Sequence, residues 1–154
     1  MFWKSLFLAV LPVAALSAQT LVPVPDEPDV PELAGLMGEL QRLTHKLALS
    51  ADAGNLPLVE MYTHESLEQL KKIQTETPEY EGQPVAVLID RFALPSYEKI
   101  KAAVAGGTTE KTTLLDAAKV VVESCNTCHA ATQRAFIRIT AGTEHNPFNQ
   151  IFTP

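Results

Sequence analysis

The prolines of this chain fall into two populations, and that division does most to limit its fold. Pro23, Pro25, Pro28 and Pro31 crowd one short stretch, whereas Pro57, Pro78, Pro84 and Pro95 are spread thinly through the long stretch that follows. Crowded prolines remove backbone donors, so residues 19–31 (QTLVPVPDEPDVP) predict an extended leader. The sparse prolines, taken with the glycines, read as helix ends. A first helix over residues 32–50 closes before Ala53-Gly54-Asn55, where Gly54 takes a left-handed conformation. A second spans 56–77, with Pro57 in its first turn and Pro78 beyond its end. A third spans 84–104 and stops at Gly106-Gly107, with Pro95 kinking or splitting it. A fourth begins at Thr108 or Thr109 as cap, carries Glu110 in its first turn and runs to Ile139, before Gly142.

Helical periodicity supports these boundaries, and each segment read for it carries one apolar stripe. In the first helix the stripe is Leu33, Leu36, Met37, Leu40, Leu43 and Leu47, and in the second Leu56, Val59, Tyr62, Leu67, Leu70 and Ile73. In the fourth it is Leu114, Ala118, Val121, Cys125, Cys128, Thr132, Phe136 and Ile139, which turns both cysteines inward. No alternation is long enough to build a sheet, and no internal repeat is present. With connections of roughly four to eight residues, the expected fold is all-α, an antiparallel four-helix bundle. At 154 residues and 46% hydrophobic content, the chain has room for one compact domain, over residues 32–154, and not for two.

The first eighteen residues stand apart: an early Lys4, an apolar run from Leu6 to Leu16 broken by Pro12, then the small residues Ser17 and Ala18. This pattern reads as a cleaved signal peptide over residues 1–18 and places the mature protein in the periplasm, because the run is too short to span a bilayer comfortably. Two cysteines in an oxidising compartment become a disulfide unless something else claims them. The formal net charge of −6 excludes nucleic acid as a partner, since that requires a basic face.

Residues 125–129 read Cys-Asn-Thr-Cys-His. On a helix, positions i, i+3 and i+4 share a face, so two thiols meet the two vinyl groups on one edge of a porphyrin while the adjacent imidazole reaches the iron. The string is the attachment signature of c-type haem, and predicts one covalent haem c held by Cys125 and Cys128 with His129 as axial ligand. Three other chemistries use such residues. A disulfide across two intervening residues closes a tiny loop and stabilises little. A thioredoxin-like site needs a strand leading into the helix, and zinc needs a fourth ligand that no second paired motif supplies.

With the motif in the last of four helices, the chain resembles the cytochromes c-prime, the four-helix-bundle class of monohaem c-type cytochromes. It does not resemble the class whose motif lies near the N-terminus with a Met ligand later, since no Met follows His129. The close match covers only residues 125–129 and the helix around them. Where that family commonly has Arg four residues after the haem His, this chain has Gln133, with Arg134 next. It also carries a tail beyond the last helix, and Pro95 interrupts the third. The resemblance implies electron transfer with a redox partner protein, or five-coordinate binding of small gases such as nitric oxide or carbon monoxide. A homodimer is a further expectation drawn from it, and no enzymatic activity is expected.

The sixth iron position distinguishes these functions. At about 100° per residue, Met37 lies about 60° from Leu40, within the first stripe, and His45 about 140° away, outside it. Met37 is therefore the candidate distal ligand; such an arrangement resembles the b-type four-helix-bundle cytochrome, with Met from its first helix and His from its last. Met61 and His64 fall about 180° and 120° from Leu70 and are expected in solvent. Thr44, about 40° from Leu40, is placed to present a hydroxyl to a ligand. His145 lies in a tail, HNPFNQIF, too apolar to ignore the core and expected to clamp the bundle end.

Overall fold

A computed structural model describes residues 33–107, 110–142 and 149–151. The expected signal peptide, the Pro-rich leader, the Thr108 and Thr109 caps and His145 lie outside the described residues. Among those described, the chain is mostly helical. Helix α1 spans Leu33–Asp52 and α2 spans Leu56–Glu76; α3 (Val85–Leu88), a π turn (Ile89–Ala93) and α4 (Leu94–Ala105) follow one another without a break, and α5 spans Lys111–Ala131. A two-residue antiparallel ladder pairs β1 (Arg138–Ile139) with β2 (Gln150–Ile151). None of the described helices is long and apolar enough to cross a membrane.

The local signals act as their chemistry dictates. Gly54 sits at φ +66 after α1, and Gly107 at φ +75 after α4. The side chain of Asn55 accepts from the N–H of Leu58 at 3.3 Å and caps α2, with Pro57 in the first turn. The third helix is interrupted ahead of Pro95, as expected, with a π turn between α3 and α4, but it does not end there. The turn before it widens, so that the N–H of Leu94 bonds to the carbonyl of Ile89, five residues back, and Pro95, lacking an N–H, then enters the opening turn of α4.

Helix α1 packs on α2 and α5, and α4 packs on α2 and α5, so the four long segments enclose one core. Leu47, Ala48, Ala51, Val59, Ile73, Tyr97, Ile100, Leu114 and Val121 are fully buried within it. Lys111 at the start of α5 pairs with Asp52 at the end of α1, 3.2 Å apart.

Both boundaries of the last helix require correction. The last helix does not continue to Ile139: it ends at Ala131, and Gln133 follows at φ +61. Hydroxyl and backbone together terminate it, since Thr132 Oγ1 donates to the carbonyls of Cys128 and His129, at 3.1 and 3.0 Å, competing for groups that a longer helix would use. Phe136, placed on the buried stripe by periodicity, is 75% exposed, whereas Ile139 is buried but as part of β1. Glu110 precedes α5 in extended conformation instead of lying in its first turn.

Candidate cofactor site

Helix α5 carries Cys125, Cys128 and His129 into a single cavity of about 470 Å³. That volume lies in the range, roughly 300–1,000 Å³, of small-molecule and cofactor sites. Helix α1 supplies a second wall with Met37, Leu40, Gln41 and Thr44, and α2 adds Leu70. The third wall is Val85, Leu88, Ile89 and Ala93, so the π turn ahead of Pro95 faces the cavity. Tyr80, Glu81 and Arg134 stand at its rim, and Ile137, Ile139 and Gln150 close it on the side of the chain end.

Both cysteines are free and half-buried. Burial pushes the Cys125 thiol up to about 12, and the neighbouring Cys128 sulfur adds to the effect. Cys128 is raised by burial as well. Both are therefore protonated thiols at neutral pH, the reverse of the depressed values that mark a dithiol redox site. Among the described residues no three His, Cys, Asp or Glu side chains converge as metal ligands would.

His129 is half-buried and its Nδ1 lies 2.9 Å from the carbonyl of Ile137. A carbonyl only accepts, so Nδ1 carries the proton and Nε2 keeps its lone pair. Burial lowers the imidazole's affinity for a second proton, and the nearby Arg134 cation lowers it further. A neutral imidazole with one nitrogen anchored and the other free is the form that ligates metal.

Met37 is half-buried, packs against the core and lines the same cavity as His129. Met61 and His64 are exposed, as helical geometry predicts. His45, although it lies outside the apolar stripe of α1, is half-buried, and its Nε2 donates to the carbonyl of Gly142 at 2.8 Å. Thr44 is 2% exposed. Its hydroxyl donates to the Leu40 carbonyl at 2.8 Å, so the hydroxyl of Tyr97, 2.6 Å away, donates to it in turn. Burial holds the Tyr97 phenol well above its ordinary range. Arg134 pairs with Glu81 at 2.5 Å and lies 5.9 Å from the centre of the Tyr80 ring.

Two contributors escape the sequence reading. Tyr97 was legible in the spacing of Ile89, Ala93, Tyr97 and Ile100, which repeats at four, four and three residues. Asn126, whose side chain bonds to the backbone of Ile139, has no such signal because its partner is the backbone of a two-residue strand, too short to show in the sequence as an alternation.

No family model matches the chain, and neither does any curated protein or any solved structure.

Proposed function

We propose that the protein is an exported monohaem c-type cytochrome that transfers electrons, built as an antiparallel four-helix bundle and resembling the cytochromes c-prime. One observation carries this reading: the three motif side chains and Met37 line one cavity, and His129 enters it with its tautomer set. Cys125 and Cys128 would hold the haem through thioether bonds, each formed by adding S–H across a vinyl group. His129 Nε2 would be the axial ligand, and Met37 from α1 the candidate on the other side.

When bound, haem supplies a reversible one-electron couple. The chain's own residues set the conditions for it. Leu33, Leu40, Leu70, Val85, Leu88 and Ile89 line the site with hydrocarbon, which lowers its polarity and favours the less charged, reduced state. The Ile137 carbonyl, accepting from Nδ1–H, makes Nε2 a stronger donor and favours the oxidised state. Arg134, paired with Glu81, lines the cavity and would offer a cation to an acidic group of the cofactor.

The visible spectrum, oxidised and reduced, with and without carbon monoxide, tests the proposal. Sharp reduced bands indifferent to the gas are expected, with Met37 as sixth ligand. A broad high-spin spectrum that shifts on adding gas means instead an open iron and a gas-binding role. No haem spectrum, in a host able to attach haem, overturns the proposal.

A further inference from the structure

Asn126 occupies the first variable position of the motif, and its side chain is half-buried. Its Nδ2 donates to the carbonyl of Ile139 at 2.9 Å, while its Oδ1 accepts the N–H of the same residue at 2.8 Å. Two bonds of opposite sense to one backbone unit are what a neighbouring strand would make, so the amide serves as a one-residue strand partner. Two residues earlier, the same segment presents the Ile137 carbonyl to His129 Nδ1. Asn126 and His129 are i and i+3 on α5, so one helix face grips residues 137–139 at both ends.

That segment lies beyond the helix, where no helical ladder fixes the Ile137 carbonyl; its placement depends on the groups that hold the chain around it. On the far side, β1 pairs with β2, and the N–H of Thr140 donates to the carbonyl of Asn149 at 2.7 Å. On the side of α5, the described side-chain bonds to residues 137–139 are those of Asn126 and His129.

We propose that Asn126 is a positioning residue: by clipping Ile139 to α5 it holds the Ile137 carbonyl against His129 Nδ1, and so sets how strongly Nε2 donates to the metal. This rests on the haem reading. Groups that orient a metal-bound imidazole through its second nitrogen raise its basicity, and their loss weakens the site. Without the clip the segment drifts, the Nδ1 bond weakens, and the reduced state gains.

The test compares haem-loaded full-length protein with Asn126→Ala. Three quantities are read: hydrogen exchange of the Ile139 amide, the His129 Nδ1 proton resonance, and the reduction potential. Expected are exchange faster by about tenfold or more, a Nδ1 proton that broadens or shifts upfield, and a more positive potential. Faster exchange with an unchanged Nδ1 proton and potential would overturn the proposal, because the clip would then hold the segment without positioning His129. No change in any of the three would overturn it as well. If Asn126→Ala does not fold, Asn126→Asp keeps the acceptor for the Ile139 N–H and loses the donor; exchange and the Nδ1 proton are then the readouts, since the added charge shifts the potential by itself. Failure of the haem reading looks different: wild-type protein would carry no haem through denaturing electrophoresis, and the Nδ1 proton of the full chain would still report whether Asn126 acts on His129.

Discussion

The two ends of the molecule are made from the same four segments and do opposite things. At the end where α1 meets the start of α5, Leu47, Ala48, Ala51, Val59 and Leu114 are fully buried and the core is closed. At the other end, a cavity opens between the same helices and receives Met37, Cys125, Cys128 and His129. The closed end is chiefly hydrocarbon packed on hydrocarbon, with small alanines on α1 and α5 and the Lys111–Asp52 pair at its edge. The open end is held at its margins by directed bonds: Asn126 and His129 to residues 137–139, His45 to Gly142, Arg134 to Glu81. One end supplies stability without specificity; the other places chemical groups around a space. Changes made at each should therefore separate stability from function.

The largest effect concerns attachment. The Cys125→Ala, Cys128→Ala pair should lose all covalent haem on denaturing electrophoresis while far-UV circular dichroism stays helical, since neither thiol belongs to the closed core. Haem surviving denaturation in that variant would sink the assignment of the thioethers. Next in size is a matched pair on α1. Leu47→Ala, at a fully buried position, should cost about 2–5 kcal/mol in denaturant unfolding, from lost transfer energy and the cavity left behind. Met37→Ala, on a half-buried residue that already borders open space, should cost the haem-free chain less than about 1 kcal/mol. In the loaded protein the same substitution should convert the reduced spectrum to one sensitive to carbon monoxide. Equal stability costs at the two positions would mean that the ends are not energetically distinct.

The closed end was nearly all legible in the sequence, and the open end only in part. Period and punctuation located α1, α2 and the segment from 85 to 105, because amphipathic stripes and the caps at Gly54, Pro57 and Gly107 act locally. Pro95 was visible as a disturbance, but not its outcome: whether a proline breaks a helix or is absorbed by a wide turn depends on what packs beside it, here the cavity wall. Extending the last helix to Ile139 followed from a pattern that stays periodic past its end. Thr132 and the left-handed Gln133 end it; beyond them Ile137 lines the cavity and Ile139 serves β1 as well, while Phe136 is left exposed. The motif was legible from spacing alone. The bonds that orient it were not, since Ile137, Ile139 and Gly142 contribute backbone atoms, which any residue type possesses.

The attachment of the chain end to α1 should be more easily disturbed than anything in the core. Gly142 sits at φ +63, and a Cβ there would come within 2.5 Å of Asn149 Cβ and 2.7 Å of His45 Nε2. Gly142→Ala should therefore strain this corner by about 1–3 kcal/mol. The segment has a cheaper escape than global unfolding, which is to detach. The expected readout is lost protection of the Thr140 amide, with the unfolding midpoint displaced by less than that strain. Full protection at Thr140 would show the corner to be more pliable than its contacts imply.

The smallest effect belongs to the rim. Glu81 and Arg134 form an ion pair whose side chains are 63% and 29% exposed, and pairs so open to water contribute about 0–1 kcal/mol. Arg134 keeps a bond to the Thr132 carbonyl at 3.1 Å and its place over Tyr80 whether or not Glu81 is charged. Glu81→Gln should thus cost less than about 1 kcal/mol, with the difference shrinking as salt is added. Glu81 also occupies a left-handed conformation, φ +50, which side chains adopt at some cost and glycine adopts freely. Glu81→Gly loses the same ion pair and relieves that strain, so it should be at least as stable as Glu81→Gln. If the glycine variant is instead clearly the less stable, Glu81 contributes through contacts of its side-chain stem, and the rim is packed more like the closed end than its exposure indicates.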